Sequence, residues 1–274
     1  MHKKYGGVYS LKTKHGIIQI KEIQGFAFNQ FVENAQCRCE KVFCGRTQMS
    51  SVFEIIGPVM IGPSSSHTAG AARLGKMARS IFKEHIERVD LTLYGSFAKT
   101  YKGHGTDRAL VGGLLGFDAE DERIRDAFKD AAEENLQYQF IESSDEGGHP
   151  NEVKFDLYGK DDYHMSIVGR SLGGGRILVT NVNNLEVEIS GEDYTILTFH
   201  HDCPGVIAWV TSQLGKASVN ISTMKVFRKR KHCEAVMLIN TDEPVDAQVM
   251  ADIQDHKSIS SVMYFEPLEK AVAE

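Results

Sequence analysis

Apolar residues recur every three or four positions after residue 70, at Ala71, Ala72, Leu74, Met77, Ala78, Ile81 and Phe82, and this spacing predicts a helix reaching about His85. A strand is predicted over 89–94, and helices over 106–115 and 121–139. The period then falls to two over 153–158, 163–168, 176–181 and 185–189, the pattern of strands in a mainly antiparallel sheet. Residues 143–150 read Ser-Ser-Asp-Glu-Gly-Gly-His-Pro, a loop by every turn signal. Residues 49–190 are therefore expected to form one α/β domain.

The last eighty residues repeat a different order. Strands are expected over 194–200, 221–228, 234–240 and 260–265, with helices over 206–216 and 247–254. This βαββαβ succession is that of a ferredoxin-like sandwich, expected over 193–274. The fold class is α+β.

Composition narrows the classes. A chain of 274 residues can bury two cores, and 42% hydrophobic with 25% charged residues is ordinary for a globular protein. A net charge of −6 gives no electrostatic reason to expect nucleic acid. The basic run at 228–231 reads as a solvated turn between two strands. No apolar stretch approaches the roughly 20 residues that span a bilayer, so no membrane partner is expected. Lys3, Lys4, Lys12, Lys14 and Lys21 leave no uninterrupted signal-peptide core, and five cysteines, an odd number, argue against a disulfide framework. A cytoplasmic protein is expected.

Charge also divides the chain. Residues 1–48 hold eight Lys or Arg against three Glu, a net of +5, whereas the remainder holds 23 against 34, a net of −11. The first 48 residues are expected to be an extension without a stable fold of its own. Cys37, Cys39 and Cys44 lie there, but their Cys-x-Cys-x4-Cys spacing matches neither zinc sites nor ferredoxin-type clusters.

The candidate chemistry gathers at the start of the first helix. Gly62-Pro63 sets a sharp turn, and Ser64, Ser65, Ser66, His67 and Thr68 follow at the helix entry. A single cap explains one serine and leaves the other groups without a task. Hydroxyls, an imidazole and the unpaired N–H groups of a first helical turn make a receptor for a small carboxylate or phosphate. His104 stands between Gly103 and Gly105 just before another predicted helix, with Thr106 as its N-cap. Either His67 or His104 can serve as a base, given an ordinary pKa near ~6.5. Gly173 and Gly174, in the Gly-Gly-Gly run before Arg176, read as a ligand-side loop or as a turn between strands.

The string over 51–73, Ser-Val-Phe-Glu-Ile-Ile-Gly-Pro-Val-Met-Ile-Gly-Pro-Ser-Ser-Ser-His-Thr-Ala-Gly-Ala-Ala-Arg, resembles the opening of the beta chain of bacterial iron–sulfur L-serine dehydratases. Tyr94-Gly95-Ser96-Phe97-Ala98-Lys99-Thr100, Gly103-His104-Gly105-Thr106-Asp107 and Gly169-Arg170-Ser171-Leu172-Gly173-Gly174-Gly175 follow in that family's order. Asp202-Cys203-Pro204-Gly205-Val206 and Val219-Asn220-Ile221-Ser222 resemble the turns of the ACT domain, a module that senses amino acids.

The resemblance implies conversion of L-serine to pyruvate and ammonia, with a 4Fe-4S cluster on a partner alpha subunit. It implies that Ser64, Ser65, Ser66 and Thr68, with Gly173 and Gly174 nearby, bind substrate, that His67 or His104 handles a proton, and that an amino-acid effector binds the ACT-like region. Cys203 and Cys233, the only cysteines after residue 49, cannot supply a cluster's thiolates. Two rivals remain: a non-catalytic amino-acid-sensing subunit, suggested by fold-level similarity to the allosteric substrate-binding domain of phosphoglycerate dehydrogenase, and a self-contained pyridoxal-phosphate lyase.

Overall fold

A computed structural model describes residues 59–228 and 230–268, together with strands β1 (Val8–Thr13) and β2 (Gly16–Lys21). The chain divides into two units, 1–50 and 51–274. In the first, β1 and β2 pair antiparallel, Val8 opposite Lys21 and Thr13 opposite Gly16. Cys37, Cys39 and Cys44 lie outside the described residues.

The second unit begins with helix α1 (Gly70–Phe82), preceded by a single π-helical turn over Ser65–Ala69. Leu74, Met77, Ala78, Ile81 and Phe82 all face the core, as their spacing requires. Lys83 ends the helix in the left-handed region at φ 62°, two residues short of the expected end. Strand β3 (Arg88–Leu93) leads into helix α2 (Gly95–His104), and Gly105, at φ 69°, turns directly into α3 (Thr106–Leu114).

Sequence periodicity anticipates α3 but not α2. It also overextends the next helix: α4 covers only Ala127–Glu133, and Gln137–Glu142 is strand β4. Tyr138 and Phe140 alternate inward there between the exposed residues Gln137, Gln139 and Ile141, with the Tyr138 ring stacked 5.3 Å from that of Phe128.

Strands β5 (Glu152–Tyr158), β6 (His164–Gly173), β7 (Arg176–Val182) and β8 (Leu185–Ile189) complete a six-stranded sheet in the order β4-β3-β5-β6-β7-β8. Only β3 and β4 run parallel. Asn183 and Asn184, both at positive φ, close the two-residue β7–β8 turn.

The close crossing of α1 and α3 positions the site. A Cβ at Gly75 would strike the Leu110 carbonyl, and one at Gly113 the Ala72 carbonyl, so the two backbones touch where both helices carry glycine. This contact fixes the start of α1 relative to the α2–α3 corner.

The remaining elements are β9 (Tyr194–His201), α5 (Val206–Lys216), β10 (Ile221–Arg228), β11 (Glu234–Thr241), α6 (Ala247–Gln254) and β12 (Ile259–Phe265). The antiparallel order β10-β11-β9-β12 is that of the ferredoxin-like sandwich, and the α+β class agrees with the sequence expectation. Ile196, Met237 and Ile239 pack toward α5 and α6. Their alternate neighbours Leu197, Val236 and Leu238, with Phe265, join the core of the six-stranded sheet. The central strands β9 and β11 are therefore covered on both faces, whereas the edge strand β10 is largely exposed.

Candidate functional site

The site is assembled at the N-terminal end of α1. Ser64 is extended, at φ −141° and ψ 124°, and its hydroxyl accepts the His67 backbone N–H at 3.2 Å. This cap places Ser64 Oγ 3.4 Å from both Ser66 Oγ and His67 Nδ1, with Ser66 Oγ 3.2 Å from the same nitrogen. The π-turn inserts one residue into the helical path, which lets Ser64, Ser66 and the His67 ring converge.

Ser171 on β6 holds that turn open. Its hydroxyl donates to the Ser66 carbonyl at 2.9 Å, and a Cβ at Gly70 would overlap the Ser171 side chain. Glycine at 70 is thus what admits the hydroxyl. Thr68 is spent within the protein: it is almost fully buried, and its hydroxyl donates to the His104 carbonyl at 3.2 Å.

The opposite nitrogen of His67, Nε2, lies 3.1 Å from Ser96 Oγ in the first turn of α2. The two histidine rings meet edge to face, 4.8 Å between centroids, and Phe97 closes a further side of His67 at 5.2 Å. Burial, with His104 beside it, holds the His67 imidazole below the ordinary value of 6.5, so it is neutral at pH 7.

His104 ends α2 rather than opening a helix, and Gly105 instead of Thr106 occupies the N-cap of α3. Two buried polar atoms at this corner, His104 Nδ1 and Thr106 Oγ1, have no hydrogen-bond partner among the described residues. His104 lies between two open clefts. One of about 460 Å³ is bordered by Pro63, Thr68, Asp107, Arg108 and Arg125, and one of about 570 Å³ by Lys99, Lys102 and Glu142. Burial pushes the Asp107 carboxyl above its usual range.

The structure thus brings Ser64, Ser66, His67, Thr68 and His104 together, with Ser65 in the same turn. Gly173 does not join them: a Cβ there would meet open space, and Gly174 and Gly175, both at positive φ, form the tight β6–β7 turn. Ser171, two residues earlier, is the residue of that segment that reaches the serines. Ser96 and Ser171 escape sequence reasoning as site residues. Ser96 has one usable signal, a Gly-Ser pair directly after a strand, where Gly95 takes φ +53° and a Cβ would press on Pro150.

Among the described residues, no three His, Cys, Asp or Glu side chains converge to hold a metal ion. The site's own donors are hydroxyls and imidazoles, and Cys203 and Cys233 lie in the ferredoxin-like region, so these residues do not fit an iron–sulfur cluster. No helix among the described residues is long and apolar enough to cross a membrane.

Comparison with known proteins agrees with the motifs. Residues 51–182 match the family described as serine dehydratase beta chain. The chain is 44% identical over 212 residues to a probable L-serine dehydratase beta chain of Bacillus subtilis, covering 77% of this chain and 96% of that one. It is 37% identical over 217 residues to the L-serine dehydratase beta chain of Peptoniphilus asaccharolyticus, covering 79% and 98%. A more distant likeness, 26% over 185 residues, links 67% of the chain to 33% of a D-3-phosphoglycerate dehydrogenase of Synechocystis. Similarity at this identity, across nearly the whole of the first two relatives, places the chain in the serine dehydratase beta chain family.

Proposed function

We propose that this chain is the beta subunit of an L-serine dehydratase, an L-serine ammonia-lyase that yields pyruvate and ammonia, and that it supplies the substrate-binding surface. The reading assigns the 4Fe-4S cluster, which would act as Lewis acid toward the substrate hydroxyl, to a partner alpha subunit. It also assigns an amino-acid effector to the ACT-like region and the cytoplasm as the site of action, with neither nucleic acid nor membrane as partner.

One observation carries the reading: a buried imidazole within hydrogen-bond distance of a serine hydroxyl at each ring nitrogen, packed against a second imidazole that borders two open clefts. Ser64, Ser65 and Ser66 offer hydroxyls to the substrate carboxylate. His67, already engaged on both sides, orients them. His104, which borders both clefts, takes the Cα proton, a step that a positioned base typically accelerates by 10²–10⁴-fold.

The test is steady-state kinetics of the reconstituted two-chain enzyme. Ser66→Ala removes a hydrogen bond to a charged group worth about 1.5–3 kcal/mol, so kcat/KM for L-serine should fall roughly 10- to 150-fold. His104→Ala should lower kcat about 10²-fold. An unchanged kcat/KM in Ser66→Ala, with altered response to added amino acids, would move the serines to an effector site.

A further inference from the structure

His67 meets a hydroxyl at each ring nitrogen, and a hydroxyl can give or take a proton there. The two arrangements polarise the serine cluster in opposite senses. With the proton on Nδ1, the ring donates to the Ser66 oxygen, and the serine O–H groups are left to point outward as donors. With the proton on Nε2, Nδ1 takes a serine proton instead and lone pairs face outward. The first cluster attracts an anion and the second a cation.

Ser96 decides between them. It is the second residue of α2, so the residue four positions earlier, Thr92, lies in β3 and offers no helical carbonyl to its hydroxyl. Its backbone N–H is given to the Pro150 carbonyl at 2.6 Å, and its own carbonyl accepts the Thr100 hydroxyl at 2.8 Å. Among the described residues, the side-chain acceptor that the Ser96 hydroxyl meets is His67 Nε2, at 3.1 Å.

We propose that Ser96 is a positioning residue: it donates its hydroxyl proton to Nε2, fixes His67 as the Nδ1–H tautomer, and so makes Ser64 and Ser66 a donor pair for a carboxylate. A second contact acts in the same sense, because the His67 backbone N–H occupies a lone pair of Ser64 Oγ. Ser96 is itself pinned. The Pro150 carbonyl that holds it belongs to a loop anchored by the Gly148 N–H on Glu152, and Glu152 is buried against Arg170 at 2.5 Å. The carboxylate in this inference rests on the function proposed above; the tautomer does not, and is measured separately.

The experiment labels the histidines of the full chain with ¹⁵N and reads the His67 ring nitrogens by NMR, assigned with His67→Gln. Nδ1 should carry the proton, and Nε2 should show the shift of a hydrogen-bonded acceptor. Ser96→Thr should preserve this pattern, and Ser96→Ala should replace it with a tautomer mixture. In the two-chain enzyme Ser96→Ala should raise KM for L-serine about 10-fold, the loss of one charge-assisted hydrogen bond, with Ser96→Thr restoring it. A wild-type ring protonated on Nε2 overturns the inference without any variant, as do unchanged ring shifts in Ser96→Ala. Shifted nitrogens with an unmoved KM keep the tautomer assignment and overturn the carboxylate role.

Discussion

At the scale of single residues, two buried histidines make this protein sensitive to acid. His67, at 9% exposure, and His200, at 3%, are both held below the ordinary imidazole value chiefly by burial. A group with a depressed folded pKa binds fewer protons folded than unfolded, so stability is complete above the unfolded value near ~6.5 and is lost as pH falls below it. The thermal midpoint should hold steady above neutrality and drop on acidification. His67→Gln should flatten that drop in part, and adding His200→Gln should flatten it further. A curve of Tm against pH for the three proteins checks this, and parallel curves would remove these histidines as the cause.

What the sequence disclosed at this scale was chemical type, not partnership. Ser64, Ser66, His67 and His104 are conspicuous as polar groups beside helical patterns, and they do converge. Ser96 and Ser171 are single hydroxyls without a polar cluster beside them, and their task comes from contacts 29 and 105 residues away in sequence. No local pattern encodes such separations. Thr68 shows the reverse: conspicuous by position, it is used to tie α1 to the end of α2.

At the scale of elements, the site depends on glycine at the crossing of α1 and α3. Gly113→Ala would drive a methyl into the Ala72 carbonyl, with backbone rather than a yielding side chain as the obstacle. Overpacking of this kind costs about 1–3 kcal/mol and here also spreads the helices. Gly113→Ala should therefore lower the urea midpoint and raise KM for L-serine together. By contrast Gly103→Ala, which meets open space, should leave the urea midpoint nearly in place. Periodicity identified the long helices and the antiparallel strands of the six-stranded sheet because each has one buried face. It failed at α2, where Gly95 and Gly103 dilute the pattern, and at β4, a short edge strand whose Tyr138 and Phe140 continue the apolar spacing of the helix before it.

At the scale of the whole molecule, the central strands β9 and β11 of the four-stranded sheet bury both of their faces. Leu197, Val236, Leu238 and Phe265 belong to the same core as α1 and the six-stranded sheet. Elements that share a core unfold together, so calorimetry should show one cooperative transition for residues 51–274. Leu238→Asp, which places an unpaired charge in that shared core, should destabilise both sheets at once by several kcal/mol. Two resolved transitions, with only the later strands affected, would show that the sheets are energetically independent. The sequence revealed the βαββαβ order but not this packing, because runs such as 235–239 read simply as apolar on both sides.

The π-turn at Ser65–Ala69 has a consequence for how the serine string can vary. A helix is a rotary scale on which one residue is a turn of about 100°, and the wider turn is a single surplus notch on that scale. Substituting a serine changes one group and leaves every later direction intact. Deleting one lets the turn close to ordinary helix, and the groups upstream swing by about a quarter revolution relative to α1, whose bearing on α3 is fixed by glycine contacts. The three consecutive serines are therefore not interchangeable copies: their number sets the azimuth at which Ser64 and His67 face each other, and the string tolerates exchange far better than shortening.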